Sequence, residues 1–317
     1  MLRTPSRSFT SRSALALALA GLLGACQGGP ATITPGAGTA APTAAGGVAP
    51  RGTPHPLSIQ VLNSGLALGL ERFAFLLKDE NGSPIRDGTV TVKFSRIVAA
   101  TGQEVKAADG EALYFGQGMP DGGSWVAYTE FDSSGPWALQ IDLLRADGWS
   151  GTAKTQVEVL GKSDAPRAGM LAPSAELPRL GPGGDLTALT SDTKPLEALY
   201  TKGLKEAKEA KQPAVVLFAS PAHCPKPDCK ATLDGMKAVQ ATRGSRVTFI
   251  HVESRDAADP SQLSAAAKSW GLSSDPWLFI LDARGSVVAR AEGGVDNTEL
   301  DLLTGLALGE AVTQPQP

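Results

Sequence analysis

The sequence predicts two folded domains of different class, an all-β sandwich followed by an α/β domain. Three observations predict it. Apolar stripes of period two are confined to the first half, the apolar spacing turns helical beyond about residue 190, and Pro/Gly-rich stretches flank the β region. At 317 residues and 42% hydrophobic content, the chain has apolar material for two ordinary domains once those stretches are set aside.

Residues 1–25 read as a secretory leader, with a basic start and then an apolar run from Ala14 to Leu23 that is too short to span a bilayer as a mature helix. Leu23-Gly24-Ala25-Cys26 resembles the lipobox of bacterial lipoproteins. That resemblance implies cleavage before Cys26, acylation of its sulfur and a protein anchored to the lipid bilayer on the extracytoplasmic side. More than one acyl chain is what stable anchoring requires. The alternative is an ordinary secretion signal in which Cys26 is incidental. Residues 26–56 form a Pro/Gly/Ala-rich tether, too poor in large apolar groups to offset chain entropy by burial. The formal charge of −3 becomes more acidic when Arg3, Arg7 and Arg12 leave with the leader, so nothing in the charge suggests nucleic acid, which asks for a basic face.

Within residues 57–161, Phe73, Phe75 and Leu77 alternate, then Val90, Val92 and Phe94, then Trp137, Leu139, Ile141 and Leu143. Turn signals such as Asn81-Gly82-Ser83-Pro84, Asp87-Gly88 and Asp147-Gly148 separate the runs. Six or seven short strands without a convincing helix point to a sandwich of immunoglobulin type. The region resembles YtkA-like domains through Gly118-Met119-Pro120, the aromatic strand Trp125 to Phe131, and Gly135-Pro136-Trp137-Ala138-Leu139. Some members of that family are associated with copper. Here only Met119, and His55 in the tether, are candidate ligands, and a lone thioether at a turn is the mark of a packing residue.

Residues 162–194 read as a linker long enough to allow independent motion. Beyond it, Asp192-Thr193-Lys194-Pro195 is placed to cap a helix carrying Leu196, Leu199, Tyr200 and Leu204. Ala214 to Ala219 is a continuous apolar run, as in a strand buried on both faces. Helix over 232–242, strand over 247–252, helix over 261–270, a hairpin of strands 278–281 and 287–290, and a last helix with Asp296 and Glu299 in capping-box spacing complete an α/β order. Residues 311–317 read as a disordered tail.

With Cys26 assigned to lipid, Cys224 and Cys229 are the remaining possible pair in an oxidising compartment. Cys224 follows the apolar strand and Cys229 lies near the start of the next helix, where unpaired N–H groups and the helix dipole favour a thiolate. Residues 195–310 resemble the thioredoxin superfamily, through Lys211-Gln212-Pro213-Ala214-Val215-Val216-Leu217-Phe218, the cysteine pair and Ser274-Asp275-Pro276-Trp277-Leu278-Phe279-Ile280. The resemblance implies a thioredoxin-like fold and a cis-proline at Pro276 facing the cysteines. The family spacing is Cys-x-x-Cys, whereas four residues separate Cys224 from Cys229. A fully helical five-residue step rises about 7.5 Å, beyond the usual disulfide Cα separation of about 4.4 to 6.8 Å, so closure needs a turn before the helix. Pro225 and Pro227 permit one, with Cys229 in the first helical turn.

Three readings fit the pair. As an oxidoreductase acting on exported thiol-containing proteins, Cys224 would be the exchanging sulfur, Cys229 the resolving one and Pro276 a platform for the substrate. As a binding or scaffold protein, the chain would carry a static staple. As a copper carrier, the cysteines would need a histidine, for which His223 and His251 are candidates. No metal or other cofactor is expected. The sequence has no phosphate-binding glycine loop, no HExxH pair and no G-x-S-x-G elbow, which leaves nucleotide-dependent and hydrolase readings without support.

Overall fold

A computed structural model describes residues 49–120, 122–225 and 227–310. The leader, Cys26, most of the tether and the tail 311–317 lie outside the described residues. No helix among the described residues is long and apolar enough to cross a membrane.

The first part is all β. Strands β1 (His55–Pro56), β2 (Ser58–Val61), β3 (Leu66–Ala67), β4 (Gly69–Lys78) and β5 (Pro84–Ile85) precede β6 (Thr89–Ile97), β7 (Glu104–Phe115), β8 (Ser124–Phe131), β9 (Gly135–Leu144) and β10 (Ser150–Leu160). Hydrogen bonding runs β1-β10-β9-β6-β7-β8-β4-β2, with β3 on β10 and β5 on β4. Long β7 is the corner, because Glu104–Ala112 pairs with β6 while Leu113–Phe115 pairs with β8. The three alternating stripes of β4, β6 and β9 are buried together in one core. β4 and β6 are not hydrogen-bonded neighbours, yet Phe73 and Phe94 meet edge to face at 5.9 Å, so the sheet has doubled into two layers. The strands exceed the six or seven expected because β1, β3 and β5 are two-residue pairings too short to carry a stripe. His55 lies on β1, pairs with Gly151 and stacks on Trp149 at 5.1 Å.

The second part is a four-stranded mixed sheet. Strands β11 (Ala214–Ala219), β12 (Thr248–Glu253), β13 (Trp277–Leu281) and β14 (Val287–Glu292) lie in the order β12-β11-β13-β14. Only β11 and β12 are parallel. Helices α1 (Leu204–Glu209), α2 (Asp228–Arg243), α3 (Ala265–Ser269) and α4 (Asn297–Ala307) cover it. Alternate residues of β11 divide between the faces. Val215 and Leu217 pack with Leu233 and Met236 of α2 and Leu300 and Leu303 of α4, whereas Val216 and Phe218 pack with Ala207 of α1, Ala267 of α3 and Trp270.

The single helix expected from Leu196 to Leu204 is instead a 3₁₀ turn at Glu197–Leu199 and a separate α1. Gly203 interrupts it, and the Glu206 carboxylate accepts the Gly203 amide at 2.9 Å, which starts the new helix. Asp192 caps no helix; its buried carboxylate accepts the Lys194 amide at 3.2 Å and Lys237 Nζ of α2 at 2.5 Å. α3 begins at Ala265, later than the sequence suggests, because Ser264 serves as its N-cap and accepts the Ala267 amide at 3.2 Å.

The segment read as a linker is built into the second part. Ala165, Ala172 and Leu177 enter its core, and Gly169 and Ala172 donate their amides to Val287 and Gly285, each at 2.9 Å. Gly271, with φ +66°, lets the Asp164 carbonyl pass where a Cβ would collide. The described residues fall in one compact unit. Two buried ion pairs join its sheets: Arg72 of β4 grips Glu299 of α4 at 2.6 and 2.8 Å, and Arg290 of β14 meets Glu71 of β4 at 2.5 Å. Tyr128 of β8 donates its hydroxyl to Glu299 at 2.7 Å. The Gln117 amide of the β7–β8 loop donates to Asp296, the N-cap of α4, at 2.9 Å.

Candidate functional site

β11 is buried along its whole length and delivers the chain to Ser220 at the carboxyl end of the sheet, where α/β folds place their sites. There the backbone turns back at once. The amides of His223 and Cys224 both donate to the Ser220 carbonyl, at 3.0 and 2.9 Å, which supplies the turn that closure requires. The buried Ser220 hydroxyl accepts the Arg255 amide at 2.8 Å and lies 3.1 Å from the Ser254 hydroxyl oxygen, fastening this turn to the end of β12. Cys224 is half-buried and His223 exposed. Cys229 is the second residue of α2 and is 0% exposed, packed in the core beside Leu199, Tyr200 and Leu233.

Cys224 and Cys229 form a disulfide with their Cα atoms 6.1 Å apart. Across from it, the Asp275–Pro276 peptide bond is cis and Pro276 is buried, its carbonyl accepting the Gly293 amide at 2.9 Å. One carboxylate oxygen of Asp275 and the two sulfurs lie within 4.8 Å of one another. The two sulfurs are bonded to each other, however, and the carboxylate is already engaged. Arg255 spans both its oxygens, with Nε at 2.8 Å and Nη2 closer still, and Ser254 donates its hydroxyl at 2.8 Å. Hydrogen bonding to Asp275 holds the Arg255 guanidinium above its ordinary pKa. The Asp275 side chain is 1% exposed.

His251 does not reach the disulfide as a free ligand. It sits in the middle of β12, with Nδ1 2.7 Å from the Tyr200 hydroxyl and Nε2 3.1 Å from the Ala219 carbonyl. The Tyr200 hydroxyl donating to Nδ1 and Nε2–H donating to the carbonyl make this the neutral ring. Burial lowers the His251 pKa to about 4 and raises that of Tyr200 to about 12. A surface cleft of about 450 Å³ runs from His223 past Glu253 and Arg255 to the segment 187–191. Trp277 and Phe279 are core residues, and the Trp277 indole donates to Ser274 at 3.0 Å. Met119 packs its methyl against Gly294, beside Asp228 at the start of α2.

Of the residues expected to carry chemistry, Cys224, Cys229 and Pro276 therefore meet in one place, with Asp275 beside them, while Cys26 lies outside the described residues. Ser220, Ser254 and Arg255 went unrecognised as part of it. Their only signal is position, since Ser220 ends one apolar strand and Ser254-Arg255 ends its parallel neighbour.

No family model matches the chain, and no curated protein does. Among solved structures, it is similar to a thioredoxin-family thiol:disulfide interchange protein from Chlorobium tepidum TLS, at 20% identity and a TM-score of 0.30, over 46% of this chain and 100% of that one. It is also similar to MtrC from Shewanella baltica OS185, at 13% identity and a TM-score of 0.26, over 49% of this chain and 32% of that one. A third similarity, to an engineered protein, has 17% identity and a TM-score of 0.20 over 35% of this chain and 21% of that one. None of these is close enough to assign an activity.

Proposed function

We propose that the chain is a thiol-disulfide oxidoreductase of thioredoxin-like type, held by lipid on Cys26 at the extracytoplasmic face of a bacterial membrane and exchanging disulfides with exported proteins. In this reading residues 57–161 are a YtkA-like, immunoglobulin-type domain and residues 195–310 the thioredoxin-like one. The observation that carries the proposal is the asymmetry of the disulfide. Cys224 sits half-buried on the turn after β11, reachable by an incoming thiol, whereas Cys229 is enclosed in the first turn of α2. That is the division of labour exchange requires: an accessible sulfur that forms the mixed disulfide and an enclosed one that resolves it. The Asp275–Pro276 bend beside the pair supplies a wall for a substrate strand.

The second reading, a static staple, is favoured by the Asp275 carboxylate, whose negative charge beside the sulfurs opposes a thiolate. Arg255 offsets that charge directly. A redox titration of the full chain with Cys26→Ser, followed by thiol alkylation in glutathione buffers, decides between them. A reversible two-electron transition at roughly −120 to −270 mV is expected, the range of known exchange catalysts. A pair that stays oxidised below about −300 mV is a staple and overturns the proposal.

A further inference from the structure

The role of the β part follows from one buried carboxylate. Glu292 ends β14 and is 8% exposed; its backbone carbonyl accepts Arg72 Nη1 at 3.2 Å, yet among the described residues its carboxylate oxygens are met by neutral donors alone. From the β part, Ser64 donates its amide at 2.8 Å and its hydroxyl at 2.5 Å. From the α/β part, Ser274 donates its hydroxyl at 2.7 Å and in turn accepts the Trp277 indole at 3.0 Å. Ser274 immediately precedes Asp275–Pro276, and Gly293, next to Glu292, donates its amide to the Pro276 carbonyl at 2.9 Å. A buried carboxylate without an ion-pair partner is costly to desolvate and is a poor way to gain stability alone. Here it clamps the loop that forms the far wall of the disulfide site to Ser64 of the β2–β3 loop.

The β part reaches the same site at a second point. Gln117 donates to Asp296 and accepts from Thr298 at the start of α4, which sets Met119 against Gly294 and Asp228, one residue before Cys229. A side chain at 294 would collide with the Met119 methyl. Both walls beside the disulfide are thus braced by the all-β part.

We infer that Glu292 is a positioning residue for substrate recognition, holding the Ser274–Pro276 loop against Ser64 so that an extended polypeptide disulfide is bound in register with Cys224. This rests on the exchange reading above. In the step served, a substrate disulfide is opened by the Cys224 thiolate to give a mixed disulfide and a substrate thiolate. The Cys229 thiolate then attacks Cys224, the Cys224–Cys229 bond forms, and the second substrate sulfur leaves as a thiolate and takes a proton from water. The substrate is reduced and the protein pair oxidised. Positioning matters for a polypeptide, which must lie along the loop, and not for a small disulfide that needs only the exposed sulfur.

The test compares the reduced full chain carrying Cys26→Ser with its Glu292→Ala and Ser64→Ala derivatives, on insulin and on oxidised glutathione. In single turnovers of the reduced protein, the half-saturating insulin concentration is expected to rise about tenfold for Glu292→Ala with the saturating rate within about twofold, the loss expected when a buried hydrogen-bonded link is cut. Ser64→Ala, at an exposed residue whose amide still donates to Glu292, shifts the half-saturating concentration in the same direction by less. Rates with oxidised glutathione stay unchanged in both. Parallel losses on the two substrates, or no change on either, overturn the inference. A second readout is independent of exchange: hydrogen exchange at the Gly293 amide, bonded to the Pro276 carbonyl, should quicken in Ser64→Ala although the mutation lies in the β part. Unchanged protection there sinks the clamp. A parent protein that reduces neither substrate while the amide still quickens sinks the exchange reading and leaves the clamp standing.

Discussion

At the scale of single residues, the disulfide site is governed by how one carboxylate is neutralised. Asp275 lies close to both sulfurs and would oppose any thiolate there, but the Arg255 guanidinium spans its two oxygens. Removing that cation leaves a buried negative charge facing the pair. Arg255→Ala is therefore expected to raise the pKa of the Cys224 thiol, displacing the pH profile of iodoacetamide alkylation of the reduced protein to higher pH. A profile that does not move, or moves down, shows that Asp275 does not act on the sulfur. The buried ring of His251 gives a second expectation. Burial lowers its pKa from 6.5 to about 4, so between those values the unfolded chain binds a proton that the folded chain refuses. Stability from this group is complete above pH 6.5 and is lost as the pH falls toward 4, amounting to at most about 3 kcal/mol. Urea midpoints at pH 7 and pH 4.5 should differ less in His251→Gln than in the parent. Equal differences would mean that carboxylates alone carry the acid sensitivity.

At the scale of elements, the strands explain what could be read in advance and what could not. The stripes Phe73-Phe75-Leu77, Val90-Val92-Phe94 and Trp137 to Leu143 are visible because one period locates one buried face, and all of them face the core of the β part. β11 is equally plain as an unbroken apolar run. β4 hides its second face. Arg72 and Ala74, between the stripe residues, read as the solvent side of a sandwich strand, yet both are buried because α4 and β14 lie against them. The hint available was a charged residue set in the middle of apolar runs: Glu71-Arg72 in one strand, and Arg290 in another. Charges placed inside strands that are otherwise apolar need buried partners, but sequence alone does not say that Arg290 of β14 takes Glu71 of β4 or that Arg72 takes Glu299 of α4. The same limit applies at the disulfide. Cys224, Cys229 and Pro276 announce themselves by residue type, whereas Ser220, Ser254 and Arg255 acquire their roles only when parallel pairing of β11 and β12 brings two strand ends together.

At the scale of the whole molecule, these buried charges make the two sheets depend on each other. Arg72 is 2% exposed and Glu299 1%, and burial works against the charge on Arg72 until the nearby Glu299 carboxylate outweighs it and raises its pKa. Such a pair adds little stability over a well-packed apolar contact, but losing one partner strands the other without water, at a cost of about 3 to 5 kcal/mol. The parent protein is therefore expected to unfold in urea in a single transition, with amide protection in β9 and in β13 lost at the same denaturant concentration. Arg72→Ala leaves the Glu299 carboxylate with only the Tyr128 hydroxyl and the Asp296-capped start of α4 beside it. The expected result is a split transition, the α/β sheet losing protection first because Glu299 belongs to its last helix, while the β core around Trp137 persists. If the parent already unfolds in two steps, the interface does not couple the sheets. If the variant still unfolds in one, then Arg290–Glu71 and the apolar contact of Leu302 with the β part are enough to hold them together.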